Sequence, residues 1–451
     1  MNDTIAAIST ALGIGAISII RTSGTEAIEI VNKIFKGKDL TKVDSHTIHY
    51  GFIIDKDDII DEVLVSVMKA PKTFTVEDVV EINCHGGIAT TNKVLELLLR
   101  NGCRMAEPGE FTKRAFLNGR INLMEAESVM DLINGKTDKA RKLAINGLRG
   151  LTSNLISNLR KEILELIASI EVNIDYPEYK DIEEKTLEDV KTSMDSIQEK
   201  LTKIVKDSEN GKLIKEGIKT VILGKPNVGK SSILNRLLDE EKAIVTDIEG
   251  TTRDIVEGQI NINGILLDII DTAGIRKTKD IIEQKGVEKS LELIDQANLI
   301  IMVLNNNEKL TLEDKELLEK TKNKKRILVV NKQDLETKID LDKELEQESI
   351  KIDTIHQEGI LPLINKIKEL FNMEELENSD LNYISNARQI SLLKKALEII
   401  PSIYQGLKDH LPIDMIEIDI KEIYNLLGEV NGESYSDEII DQLFSQFCLG
   451  K

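Results

Sequence analysis

Hydrophobic positions change period several times along this 451-residue chain. Near the start, short apolar runs predict strands at Ala16 to Arg21 and Val63 to Met68. Thr90 to Arg100 predicts a helix with Val94, Leu95, Leu97 and Leu98 on its apolar side. From about residue 119 to 215 the spacing is helical. Leu155, Leu159, Ile163, Leu166 and Ile170 form one stripe. Leu187, Val190, Met194, Ile197, Leu201 and Ile204 form another, close to a heptad seam, which points first to an intrachain bundle and second to a dimer contact. Then four apolar strands, Thr220 to Leu223, Leu266 to Ile270, Leu299 to Leu304 and Ile327 to Val330, alternate with helical patterns. That alternation predicts a mostly parallel sheet with both faces covered. Helical spacing resumes at Ile390, Leu393, Leu397 and Ile400, at Ile416, Ile420, Ile423 and Leu427, and at Ile440, Leu443, Phe444 and Phe447. The pattern divides the chain into 1–118 (α/β), 119–215 (helical), 216–375 (α/β) and 376–451 (helical). The simplest architecture is multidomain α/β plus all-α, with the third segment inserted into a helical domain built from both flanks.

Composition narrows the class. A hydrophobic share of 41% supports real cores. No apolar run approaches the ~18 residues of a membrane span. Met1-Asn2-Asp3 lacks the basic and apolar stretches of a leader. Three cysteines, Cys84, Cys103 and Cys448, make no disulfide framework, so a cytoplasmic location is expected. A net charge of −20 argues against indiscriminate nucleic-acid binding but leaves room for a local basic patch.

The candidate chemistry sits at strand exits. Gly224-Lys-Pro-Asn227-Val228-Gly229-Lys230-Ser231 follows the first strand of the third segment. Glycines let backbone amides turn around a polyphosphate, Lys230 supplies a point charge, and Ser231 offers a hydroxyl to Mg²⁺. Asp271-Thr272-Ala273-Gly274 follows the second strand; Asp271 can hold Mg²⁺ through water and the Gly274 amide can sense a γ-phosphate. Asn331-Lys332-Gln333-Asp334 follows a later one. The Asp334 carboxylate can accept from guanine N1–H and its exocyclic amine, a donor pair that adenine lacks. Three such motifs in order predict a GTP site. Ile275 stands where Ras-like proteins place a water-orienting glutamine, so another group must do that work.

Five stretches carry a resemblance over nearly the whole chain. They are Asp3 to Ala7 leading to Ile20-Arg21-Thr22-Ser23-Gly24; Glu77 to Glu81 leading to His85-Gly86-Gly87; Glu107-Pro-Gly-Glu-Phe-Thr-Lys-Arg-Ala-Phe-Leu-Asn-Gly119; the nucleotide segment; and Phe444 to Lys451. In these the chain resembles the bacterial tRNA-modification GTPases called MnmE or TrmE. The resemblance implies an N-terminal α/β domain that binds tetrahydrofolate and dimerises. It also implies a helical bundle interrupted by a Ras-like P-loop GTPase domain. It further implies K⁺-dependent GTP hydrolysis and a flavoprotein partner of the MnmG (GidA) type in a heterotetramer or larger complex. The joint product is a carboxymethylaminomethyl-type group on C5 of the tRNA wobble uridine.

Residue by residue, the resemblance assigns Glu283 to the attacking water and Lys230 to the phosphates. GTP contacts extend over Asn227 to Ser232, including Ser232, and over Thr246, Asp247, Ile248, Glu249, Gly250, Thr251 and Thr252. Ser231 and Thr252 would hold Mg²⁺; Asn227, Thr246, Ile248 and Thr251 would hold K⁺. Arg21, Glu81, Arg120 and Lys451 match folate contacts, the ligand being 5-formyltetrahydrofolate or a related one-carbon form. Many relatives have lysine at the Arg120 position. Cys448 is expected near that pocket without a catalytic role, and His85 is expected to be structural. Lys113, Arg114, Lys136, Lys139, Arg141, Lys142 and Arg149 are the candidate tRNA patch. Two departures stand out: Ala11 to Ala16 lacks the usual prolines and arginine, and Asp353-Thr354-Ile355 replaces the usual base-contacting Ser-Ala. A ribosome-assembly or translation GTPase is the alternative, and a scaffold with a degenerate site a third; the stretches Glu107 to Thr112 and Phe447 to Lys451 oppose the former, intact Lys230, Ser231, Asp271 and Asp334 the latter.

Overall fold

A computed structural model describes residues 3–175, 180–240, 258–270, 294–373, 376, 380–433 and 437–450. The chain forms two compact units.

Unit one comprises Met1–Met130, Ser153–Asp175 and Leu411–Lys451. Its seven strands are β1 (Ile5–Ile8), β2 (Ile17–Ser23), β3 (Phe35–Lys36), β4 (Thr47–Asp55), β5 (Asp58–Met68), β6 (Val79–His85) and β7 (Arg104–Met105). They order as β3-β4-β5-β6-β2-β1-β7. All pairs are antiparallel except β1 with β7. Alternation on β5 and β6 points Val63, Val65, Val67, Val80 and Ile82 into a core with helices α1 (Ala27–Ile34) and α2 (Ile88–Arg100). In α2, Val94, Leu97 and Leu98 recur at helical spacing and are fully buried. The helices α3 (Glu110–Leu117) and α4 (Leu123–Asn134) follow.

Asp131–Thr152 and Tyr176–His410 form unit two. Its sheet contains β8 (Ile218–Leu223), β9 (Gly258–Ile262), β10 (Ile265–Ile269), β11 (Leu299–Asn305), β12 (Arg326–Asn331) and β13 (Ser349–Lys351), ordered β13-β12-β11-β8-β10-β9. Only β9 runs antiparallel. β11 is buried at every position, as a central parallel strand between two helical layers must be. The helix α5 (Asp138–Leu148) packs Ala140 and Leu143 into the same core.

The helix α6 (Leu151–Asp175) corrects one detail of the periodicity. Leu155 is exposed, and its neighbour Ile156 is the buried residue that continues the stripe to Leu159, Ile163, Leu166 and Ile170. Adjacent apolar residues on a helix differ by ~100° in direction, and only one of them can face the core. The second stripe lies on α7 (Lys180–Glu216). Val190, Met194, Ile197 and Leu201 are almost wholly buried within the single chain.

Among the described residues, unit two also contains the helices α8 (Lys230–Glu240), α9 (Leu312–Thr321), α10 (Lys343–Glu348), α11 (Leu361–Leu370) and α12 (Ala387–Lys408). α7 packs against α12, which supplies the bundle partner. Unit one ends with α13 (Ile413–Asn431) and α14 (Asp437–Phe444).

Candidate functional site

The phosphate loop in unit two begins where β8 ends. Gly224 adopts φ 144°, and an added Cβ would come closer than 3.0 Å to the Val303 carbonyl on β11. Asn227 takes a left-handed φ of 64° and its residue is exposed. Gly229 has φ 101°, and a Cβ there would drive into the Asn331 side chain. Close backbone approach is therefore built in at both glycines. α8 starts directly at Lys230, so its first-turn amides face the loop.

Lys230 is held inside that loop. Its ammonium donates to the Gly224 carbonyl at 2.5 Å and the Lys225 carbonyl at 2.7 Å. Burial pushes its pKa below the ordinary lysine value, with the Glu313 charge opposing. An ammonium gathered by carbonyls inside the loop stands ready for stronger anionic acceptors.

The base-side motif meets the same loop. Asn331 is buried at the end of β12, and its side-chain amide donates to the Val228 carbonyl at 2.9 Å. Its Oδ1 is buried with no hydrogen-bond partner among the described residues. A buried acceptor left open is costly, and a ligand donor would relieve that cost. Lys332 follows with φ 66°, and Asp334 is exposed. The substituted loop is firmly tied. Arg236 of α8 donates to the Thr354 carbonyl at 2.9 Å and to the Ile355 carbonyl at 2.6 Å. Asp353 binds the Ile355 amide and pairs with His356, which holds the Asp353 carboxyl below its usual range.

Unit one has its own pocket, of about 220 Å³, lined by Arg21, Glu81, Phe74, Thr75 and Met68 among others. Arg21 and Glu81 are register partners on β2 and β6. The Arg21 Nε donates to Glu81 at 2.8 Å, and its Nη1 donates to the Gly450 carbonyl at 3.3 Å. Arg120 lies over the Phe74 ring at 5.3 Å and donates to the Thr73 carbonyl. The chain's last helix returns to this region within the same unit. Phe444 packs with Phe116 and Phe447, the Gly109 amide donates to the Cys448 carbonyl at 3.1 Å, and Lys113 pairs with Asp441. Arg21, Glu81 and residue 450 are thus brought together from opposite ends of the sequence.

Comparison with known proteins decides the family. The family described as "MnmE helical domain" matches residues 123–448, and that described as "GTP-binding protein TrmE N-terminus" matches 4–120. A tRNA modification GTPase MnmE from Streptococcus thermophilus is 54% identical over 450 residues, covering 100% of this chain and 98% of the relative. The chain belongs to the MnmE family. A Bacillus cytotoxicus member is likewise 54% identical over 455 residues, with 100% and 99% coverage. Among solved structures, Era from Aquifex aeolicus is 29% identical over 35% of this chain and 56% of that one, with a TM-score of 0.25, a likeness too low to carry an argument.

Several MnmE-family positions named from sequence lie outside the described residues: Thr246 to Thr252, Asp271 to Gly274, Glu283 and Lys451. Within the phosphate loop the structure brings Val228 and Gly229 beside Asn331, while Lys230 folds back onto the Gly224 carbonyl. Ser231 and Ser232 begin α8.

The basic patch needs correction. Arg114 is 1% exposed and cannot meet RNA. Its guanidinium pairs with Asp3, Glu77 and Glu110 and donates to the Asp3 carbonyl, because it lies on the buried side of α3. The Lys139 ammonium is also shut away from solvent. Lys136, Arg141, Lys142 and Arg149 stay exposed in unit two, whereas Lys113 belongs to unit one and is paired. His85 binds Asp61 through both its amide and its Nδ1 on the surface, and Cys448 is exposed.

Sequence reasoning missed Arg236, Phe74 and Gly450. Arg236 sits five residues beyond Ser231 on α8, a spacing that could have flagged it. Nothing in the sequence pairs Phe74 with Arg120.

Among the described residues no helix is long and apolar enough to cross a membrane.

Proposed function

We propose that this chain is a K⁺-dependent GTP hydrolase. With an MnmG-type flavoprotein partner it modifies C5 of the wobble uridine in certain tRNAs. The observation that carries this is the closed phosphate loop bolted to a buried asparagine with an open acceptor, in a chain of the MnmE family. The residues fit the ligands they would receive. Gly224 and Gly229 take backbone turns packed so closely against Val303 and Asn331 that no Cβ fits, and such turns let loop amides point at a polyphosphate. Lys230 and Ser231 stand at a helix start, where phosphate and Mg²⁺ belong. Asn331 and Asp334 frame guanine. Asn227, exposed on a left-handed turn, offers a side-chain oxygen to K⁺, whose charge would offset charge developing between the phosphates. Glu283 orients the attacking water.

The pocket at Arg21 and Glu81 takes a one-carbon tetrahydrofolate, with Arg120 and Lys451 as further contacts. Arginine forks suit the carboxylates of such a ligand. The chain works as a homodimer in the cytoplasm.

The test is mass spectrometry of wobble nucleosides in tRNA from cells lacking this gene, with and without the gene restored. Loss of the C5 aminomethyl-type group and its return on restoration are expected. An unchanged nucleoside profile after deletion would overturn the assignment.

A further inference from the structure

Lys225 is engaged at both ends. Its ammonium lies 2.9 Å from Asp314 Oδ2 and 3.6 Å from Glu308 Oε2. Its own carbonyl accepts the Lys230 ammonium at 2.7 Å. Asp314 is almost fully buried and already fixed. It forms a capping box with Thr311, whose amide and hydroxyl both donate to it, at the start of α9. The side chain of Lys225 thus ties the phosphate loop to a rigid helix start while its main chain holds the catalytic lysine.

The neighbouring residues leave this task to Lys225. Gly224 has no side chain, Pro226 has no amide hydrogen, and Pro226 and Asn227 are exposed. Among the described residues, Lys225 is the one between Gly224 and Asn227 whose side chain reaches a charged partner. Burial would lower the Lys225 pKa, but the Asp314 and Glu308 carboxylates outweigh it and keep the ammonium charged.

We propose that Lys225 is a positioning residue for GTP turnover, its ion pair with Asp314 setting where Asn227 and Lys230 meet the phosphates and the monovalent cation. This deepens the nucleotide assignment above and rests on it. Charge at the transition state is sensitive to displacement of the groups that meet it, whereas ground-state binding is spread over the whole loop.

The test uses the full chain, wild type and the variants Lys225→Met, Lys225→Arg and Asp314→Asn. Three quantities are read: the dissociation constant of a fluorescent GTP analogue, turnover across a K⁺ titration, and the thermal midpoint. Lys225→Met should raise the K⁺ concentration for half-maximal turnover by roughly tenfold, with a smaller loss of nucleotide affinity. Lys225→Arg should recover most of it, and combining Lys225→Met with Asp314→Asn should add little to either alone. If Lys225→Met does not fold, Asp314→Asn, which keeps the side chain's shape, carries the same comparison. A lowered thermal midpoint with unchanged turnover and K⁺ requirement would mean a purely structural pair and overturn the proposal. A wild-type chain that binds no GTP would overturn the nucleotide assignment and this proposal together; normal wild-type turnover with indifferent variants would overturn this proposal alone.

Discussion

Asn331 donates its side-chain amide to the Val228 carbonyl at 2.9 Å, which joins the end of β12 to the phosphate loop. The contact lets the base-reading strand hold the phosphate-reading turn. Asn331→Ala would strand a buried carbonyl, at a cost of about 1–3 kcal/mol. GTP affinity should fall by tenfold or more, on the order of 1.4 kcal/mol per decade, as read by isothermal titration. Unaltered affinity would mean the joint has no role in binding.

Asp334 carries the base preference in this scheme. Asp334→Asn should weaken GTP and favour xanthosine triphosphate, because an amide donor then faces a base carbonyl. Competition binding between the two nucleotides decides it, and an undiminished preference for GTP would refute the role.

At the other end of the chain, Gly450 has φ 83°, and an added Cβ would collide with the Ile8 carbonyl. Gly450→Ala should pull the terminal segment from Arg21 and weaken 5-formyltetrahydrofolate binding, while GTP affinity stays as in wild type. Equal folate affinity in both proteins would remove the terminus from that pocket.

Four of the six strands described in unit two, β8, β10, β11 and β12, and the stripe on α7 are legible from periodicity alone, because largely buried strands and heptad-like helices leave strong patterns. Burial of charge leaves none. Arg114 lies in a basic-looking Lys-Arg pair, yet packing turns it onto Glu110, one helical turn away, and onto Glu77, 37 residues earlier in the chain. The choice of Ile156 over Leu155 is likewise tertiary, since both suit a helix equally. The Lys225–Asp314 pair joins two motifs that are silent about each other in sequence.

The Arg114 network makes a stability prediction with a pH sign. Removing one partner of a buried ion pair costs about 3–5 kcal/mol, so Arg114→Met should lower the thermal midpoint markedly, whereas exposed Arg141→Ala should stay within about 0.5 kcal/mol. Burial alone would raise the Glu110 pKa, but hydrogen bonds from Arg104, the Glu107 amide and Arg114 outweigh it and hold the carboxyl below its ordinary value. A depressed folded-state pKa contributes stability in full above the unfolded value. That contribution is lost as pH falls from there through the folded value, below about pH 4.3. Glu110→Gln should therefore flatten the acid limb of a stability–pH curve; an identical acid limb would contradict the assignment.

The most direct measurement is steady-state GTP turnover by the purified full chain in potassium chloride and in sodium chloride at equal ionic strength, for wild type and Asn227→Ala. Wild type should turn over several-fold faster in potassium, and Asn227→Ala should lose that gain while still binding GTP. Equal wild-type rates in the two salts, or hydrolysis of ATP as fast as GTP, would contradict a potassium-assisted GTP site built on this loop.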